Sequence, residues 1–280
     1  MLNSKFLLSK LTNENYFSDP FPHIIIENCI DNISYKSLTD TFPSYDLFNI
    51  PSDANNKRSD IFSKDIINSN KIHNNWYEFF KLNNSNNFTR TILDFFYKDL
   101  IKIYPKQFLN KNDIDKLNLG INNENNYDQN KQLLIEMSLA INSPVKKMSA
   151  VRNAHLDKPK KLFTALYYMR ENEDESTGGD LILYKWRSGY SLNKKRITYH
   201  EALSSEHIIE KKIIKYSSNK LIVFLNSIDS LHAVSPRSIT NFYRKFCCIT
   251  CSSEKQFNSF NPTSKIEKLK LQTLNKLKLL

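Results

Sequence analysis

His155 and Asp157 flank Leu156, and residues two apart on an extended chain project to the same side, because strand side chains alternate. An imidazole and a carboxylate placed that way can grip one metal ion together. A second imidazole, His232, lies far downstream and would complete a set of two His and one carboxylate. Such a facial set leaves coordination positions open for substrates and suits Fe(II) in non-haem oxygenases. The plainer alternative is a chance HxD, since the chain holds six His among 280 residues.

The context strengthens the metal reading. After Asp157 comes Lys158-Pro159, then the apolar and aromatic run Leu162 to Met169, which reads as a strand. A polar turn from Glu171 to Thr177 leads into Gly178-Gly179-Asp180 and the strand Leu181 to Tyr184. Leu221 to Asn226 is a further strand, followed by Leu231-His232-Ala233-Val234-Ser235-Pro236-Arg237. Arg244 then opens a strand that runs to Thr250.

This order of HxD, paired tyrosines, Gly-Gly, distal His and Arg resembles the Fe(II)/2-oxoglutarate dioxygenase superfamily, in particular its prolyl-hydroxylase-like branch. The resemblance spans about residues 150–251. It implies Fe(II) held by His155, Asp157 and His232, with 2-oxoglutarate and O2 as cosubstrates and succinate and CO2 as products. It also implies an Arg for the far carboxylate of 2-oxoglutarate, to which a guanidinium offers a two-pronged match. Arg244 shares alternation parity with Phe246, Cys248 and Thr250 and is expected to face the interior. Arg237, in Ser235-Pro236-Arg237-Ser238, reads as a loop residue facing solvent or substrate. Tyr168 and Thr164, four apart on one strand face, are implied as further 2-oxoglutarate contacts; ordinary sheet packing is the alternative for both. Gly178-Gly179 marks a tight turn with close backbone approach, and Asp180 is structural or a partner of a ligating His. One departure is the tyrosine that some prolyl hydroxylases carry before HxD; Val145 falls near its position.

The elements around these residues point to a mainly β (α+β) chain with a double-stranded β-helix, or jelly-roll, core and packing helices from the N-terminal region. Residues 1–130 are an N-terminal strand/helix elaboration packing on the core, 131–253 the jelly-roll core and 254–280 a tail with an amphipathic helix. The strand runs lie at hairpin spacing, with Ser217-Ser218-Asn219 turning between Ile213-Ile214 and Leu221. Ile33 to Phe42 predicts a helix closed by Pro43. Helical spacing of Phe88, Ile92, Phe95, Phe96, Leu100 and Ile103 predicts one amphipathic helix over Ser85 to Tyr104. Ser44 to Asn75 and Asn110 to Asn130 read as long loops. In the tail, Ser264 and Glu267 form a capping box. Its apolar face docks on the domain or on a second copy, so a homodimer is one expectation.

The net charge is +11, yet 32 of the 40 basic residues are Lys and only eight are Arg. No Arg-rich patch or nucleic-acid motif accompanies that charge. Nucleic-acid binding is therefore a secondary alternative, beside a cupin-like metal-binding protein without oxygen chemistry. Cys248-x-x-Cys251 lacks a second pair and lies in an apolar strand, where Cys behaves as a small hydrophobe. Reduced cysteines and the lack of a signal-like or membrane-length run give a soluble, cytoplasmic expectation. His23 reads as a packing or surface residue, and His200 with His207 as part of a surface loop. The substrate is expected to be a small molecule or a peptide. Arg187, Lys194, Lys195 and Arg196, in the insertion from Lys185 to Glu206, raise an anionic group on it as one option.

Overall fold

The computed structural model describes residues 5–122, 131–188 and 203–253. In chain order the elements are β1 (Tyr16–Phe17), β2 (His23–Glu27), α1 (Asn32–Asp40), β3 (Arg58–Phe62), α2 (Ser63–Ile67), α3 (Asn74–Asn83), α4 (Asn86–Phe95), α5 (Tyr97–Ile103) and α6 (Lys111–Asp115). There follow β4 (Leu119–Ile121), β5 (Leu133–Asn142), β6 (Lys161–Tyr168), β7 (Leu181–Trp186), β8 (Ile208–Ile214), β9 (Lys220–Leu225), β10 (His232–Val234) and β11 (Arg244–Ser252). The large sheet runs β1-β2-β9-β6-β11-β5-β3, with β4 also pairing β5; a small sheet runs β10-β7-β8. All pairs are antiparallel except β4 with β5.

Strict alternation along the central strands decides what faces what. Phe163, Ala165 and Tyr167 of β6, Leu221, Val223 and Leu225 of β9, and Cys247, Ile249 and Cys251 of β11 share one apolar core with the helices. The opposite parity packs Tyr168, Ile222, Phe224 and Phe246 against Leu181, Leu183 and Ile214 of the small sheet. The result is a two-sheet sandwich with helices on the outer face of the large sheet, an arrangement compatible with the expected roll.

The helices form where capping and an apolar stripe coincide. Asp31 caps α1 by accepting from Ser34 N at 2.9 Å. Ser85 caps α4 by accepting from Phe88 N at 3.2 Å. Trp76, Phe79, Phe80, Phe88, Ile92 and Leu100 are fully buried, each stabilising the fold by roughly 1.5–3 kcal/mol relative to exposure. The Phe79 ring meets Tyr167 at 5.7 Å and Phe88 meets Phe163 at 6.5 Å, which docks α3 and α4 on β6.

Several sequence expectations change. The single helix over 85–104 is two, broken at Phe96, which is at once the last cap of α4 and the first of α5. The loop over 44–75 contains β3, α2 and the start of α3, and the Asn-rich run over 110–130 contains α6 and β4. The turn at 217–219 does not close a hairpin. It carries the chain from β8 in the small sheet to β9 in the large one, with Asn219 at a φ of 48°. Strands β1 to β4, from residues before 131, join the large sheet. The tail helix lies outside the described residues. Among the described residues no helix is long and apolar enough to cross a membrane.

Candidate metal centre

His155 sits in the connection between β5 and β6 and pairs with His232, the first residue of β10, in an isolated antiparallel bridge. Each imidazole engages a carbonyl two residues upstream through Nδ1: His155 with Asn153 O at 2.8 Å, His232 with Ser230 O at 2.9 Å. That bond assigns the proton to Nδ1 and makes Nε2 the ring nitrogen that can act as a metal donor. Asp157 completes the group, and one ligand atom from each of the three lies within 4.8 Å of the others. All three residues are buried.

The electrostatics set the protonation states that a divalent ion needs. Burial, assisted by the charges of His232 and Arg152, pushes the His155 pKa down to about 3. Burial likewise lowers that of His232. Burial alone would raise the Asp157 carboxyl. Lys161, the two imidazoles and the Thr164 hydroxyl outweigh it and hold the group below the usual carboxylate range. At neutral pH the trio is therefore two neutral imidazoles and one carboxylate, a donor set that fits Fe(II).

Asp157 is held from two sides. Thr164 Oγ1 donates to its Oδ2 at 2.8 Å, Asn226 Nδ2 donates to Thr164 Oγ1 at 3.2 Å, and Lys161 Nζ lies 3.2 Å from Oδ1. The proton of Thr164 is thus committed to the carboxylate, and this side chain has only its methyl and a shared oxygen to offer a neighbouring ligand. The link from Asn226 through Thr164 to Asp157 joins residues remote in sequence and carries no local signal.

The trio opens onto a cavity of about 460 Å³ whose wall includes Thr164, Leu166, Phe224, Arg244, Phe246 and Cys248. Arg244 is buried, with its guanidinium 4.8 Å from the ring centroids of Tyr168, Tyr216 and Phe246. Nε donates to Gly179 O at 3.0 Å. No carboxylate among the described residues pairs with it. Beside it, the Tyr168 hydroxyl is buried with the Arg244 side chain as its polar neighbour. A buried cation and an adjacent hydroxyl together fit a carboxylate.

Arg237 corrects the expectation of a solvent- or substrate-facing side chain. It is 1% exposed, donates through Nη2 to Asp174 Oδ2 at 2.7 Å and through Nε to Ser176 Oγ at 3.0 Å. The loop reading of its backbone is sound, but the polar turn supplied a buried carboxylate that draws the side chain inward. Gly178 and Gly179 carry φ of 79° and 71°. A Cβ on Gly178 would overlap the carbonyl oxygen of Pro236, so the chain needs glycine there.

Asp180 is structural: Tyr216 N donates to it at 2.9 Å and Lys215 Nζ lies 3.1 Å away, whereas the ligating imidazoles bond to main-chain carbonyls. Cys248 lines the cavity, while Cys251 is buried in the apolar core on the other face of β11, which separates the two thiols of the CxxC spacing. His23 is buried and stacked on Phe17 at 5.2 Å, a packing role. His200, Lys194, Lys195 and Arg196 lie outside the described residues. Two cations in the cavity wall, Arg152 and Lys161, escaped the sequence reading; their signal is only their nearness in sequence to His155 and Asp157.

No family model matches the chain, and no curated protein matches it. Solved structures similar to it include prolyl hydroxylases. A prolyl-4-hydroxylase from Pseudomonas putida aligns at 12% identity over 83% of this chain and 93% of that one, with a TM-score of 0.43. IDO from Bacillus thuringiensis aligns at 15% identity over the same shares, with a TM-score of 0.44. A Trichoplax adhaerens prolyl hydroxylase, in complex with a hypoxia inducible factor oxygen degradation domain peptide fragment, aligns at 11% identity. It covers 90% of this chain and 89% of that one, with a TM-score of 0.41.

Proposed function

We propose that this chain is an Fe(II)- and 2-oxoglutarate-dependent dioxygenase that hydroxylates a small-molecule or peptide substrate, on a double-stranded β-helix core. The observation that supports the reading is that the His155–Asp157–His232 trio shares one cavity with the buried Arg244, which pairs with no carboxylate among the described residues. Thr164 and Tyr168 lie four residues apart on the same face of β6, a span of roughly 13 Å at the rise of a strand. One marks the metal end and the other the arginine end, so a small diacid can bridge between them.

Bound there, Fe(II) with 2-oxoglutarate and O2 would supply the oxidative chemistry that yields succinate, CO2 and a hydroxylated product. His155, Asp157 and His232 hold the ion. Thr164 and Asn226 orient the carboxylate of Asp157. Arg244 pairs with the far carboxylate of 2-oxoglutarate, and the Tyr168 hydroxyl donates to the same group. Phe224, Phe246 and Leu166 exclude water from the space between the two ends. The test is release of succinate from 2-oxoglutarate by the purified protein with Fe(II) under air. Succinate above that of a His232→Ala control is the result expected; equal, background release from both would reject the assignment.

A further inference from the structure

Among the described residues the cavity wall carries five cationic residues, Lys57, Arg58, Arg152, Lys161 and Arg244, against the single carboxylate of Asp157. Two of the cations have partners other than Asp157. Arg58 pairs with Asp60 through two bonds of 2.8 and 2.6 Å, and Arg244 takes the far carboxylate under the function proposed above. Lys57 is exposed and, unlike Arg152 and Lys161, is not among the charges that act on His155, Asp157 or His232.

Arg152, itself exposed, and Lys161 are the two whose charge bears on the trio. Both act electrostatically on Asp157 or the imidazoles: Lys161 through its 3.2 Å ion pair, Arg152 over a longer range. Burial lowers the Arg152 pKa, and Arg58 lowers it further while Asp157 raises it. No carboxylate among the described residues forms an ion pair with Arg152. A divalent ion on the trio would take up the charge of Asp157, and 2-oxoglutarate would place one carboxylate at the ion and the other at Arg244. Arg152 and Lys161 would then face each other's charge and the metal's with no counter-charge of their own.

We infer that Arg152 and Lys161 form a second anion subsite that holds a carboxylate or phosphate of the primary substrate, at the metal end of the cavity. The inference rests on the proposed function. Its position follows from the chain. Lys161 opens β6 at the end where Thr164 meets Asp157, and Arg152 precedes His155 by three residues, whereas Arg244 lies at the Tyr168 end. Two cations flanking the metal would draw the anionic group there and thereby orient the carbon to be oxidised.

The test loads the full chain with Mn(II) and the unreactive analogue N-oxalylglycine, then titrates inorganic phosphate in one arm and acetate in the other. Paramagnetic relaxation of the phosphorus or methyl signal by Mn(II) reports an anion bound near the trio, and electron spin resonance of free Mn(II) reports metal binding separately. The wild type is expected to relax one or both anions. Arg152→Gln and Lys161→Gln are each expected to weaken that binding by at least about tenfold, with Mn(II) bound by Arg152→Gln as it is by the wild type. Lys161→Arg, which keeps the charge, should keep the anion, and the remote Lys36→Gln should match the wild type. Stronger relaxation of phosphate assigns a phosphorylated substrate, and stronger relaxation of acetate assigns a carboxylated one. Mn(II) binding without anion relaxation, or with equal relaxation in both Gln variants, overturns the subsite and leaves the metal reading standing. Failure of the wild type to bind Mn(II) removes both.

Discussion

His155 and His232 exchange both of their backbone hydrogen bonds, His155 N to His232 O at 3.0 Å and His232 N to His155 O at 3.2 Å, and their rings lie 4.3 Å apart. Main-chain pairing therefore brings the two imidazoles together, independently of what the side chains do. A metal site built this way can lose a ligand without losing its frame.

The first prediction follows from that pairing. His155→Ala and His232→Ala should each abolish tight Fe(II) binding, because two ligands hold the ion poorly, while circular dichroism stays that of the wild type. Loss of fold together with loss of metal would mean that the imidazoles also serve as structural supports.

The two arginines should separate cleanly. Arg244→Ala leaves a 2-oxoglutarate carboxylate unpaired, which costs about 2–5 kcal/mol, or at least roughly thirtyfold in affinity, with metal affinity nearly unchanged. Arg237→Ala instead removes one of the two guanidinium partners of the buried Asp174, which keeps Arg170 at 3.4 Å and Ser176 N at 3.1 Å, so it should cost about 1–3 kcal/mol of folding stability. Calorimetric titration and denaturant melts of both variants check the pair. Exchanged phenotypes would reverse the assignment.

Thr164→Val keeps the shape of the side chain and removes the hydroxyl that donates to Asp157. Loss of a group that orients a metal ligand typically lowers affinity by about 10–100-fold, and that range is expected for Fe(II) here. A variant that binds Fe(II) as the wild type does, yet binds 2-oxoglutarate weakly, would return Thr164 to a direct cosubstrate role.

Gly178→Ala meets both a φ of 79° and the Pro236 carbonyl. The expected cost is about 1–3 kcal/mol, and thermal unfolding should shift down by about 2–4 °C for each kcal/mol. An unchanged melting temperature would show that the turn can relax around an added methyl group.

The central strands were legible in the sequence because each alternates between two buried faces of different character. Phe163, Ala165 and Tyr167 meet the helices, whereas Thr164, Leu166 and Tyr168 meet the small sheet or the cavity. The parity of Arg244 with Phe246 and Cys248 was readable for the same reason. β3 was not legible: it is an edge strand of Arg58-Ser59-Asp60-Ile61-Phe62 in which only Ile61 is buried, so no apolar alternation marks it. The burial of Arg237 was hidden because its partner Asp174 lies in a polar turn that reads as solvated. Pairing of remote polar groups leaves no local pattern. The same holds for Asn226 with Thr164.

The most direct test of the central claim, that one cavity takes a metal at His155, Asp157 and His232 and a diacid at Arg244, is anaerobic visible spectroscopy. Fe(II) is added to the apoprotein first and 2-oxoglutarate second. Growth of the weak visible charge-transfer band of an Fe(II)–2-oxo acid chelate, saturating at one equivalent of each, is the result predicted. The band should vanish in His232→Ala and require far more 2-oxoglutarate in Arg244→Ala. A wild-type protein that binds Fe(II) without developing the band, or develops it equally in both variants, would contradict the account.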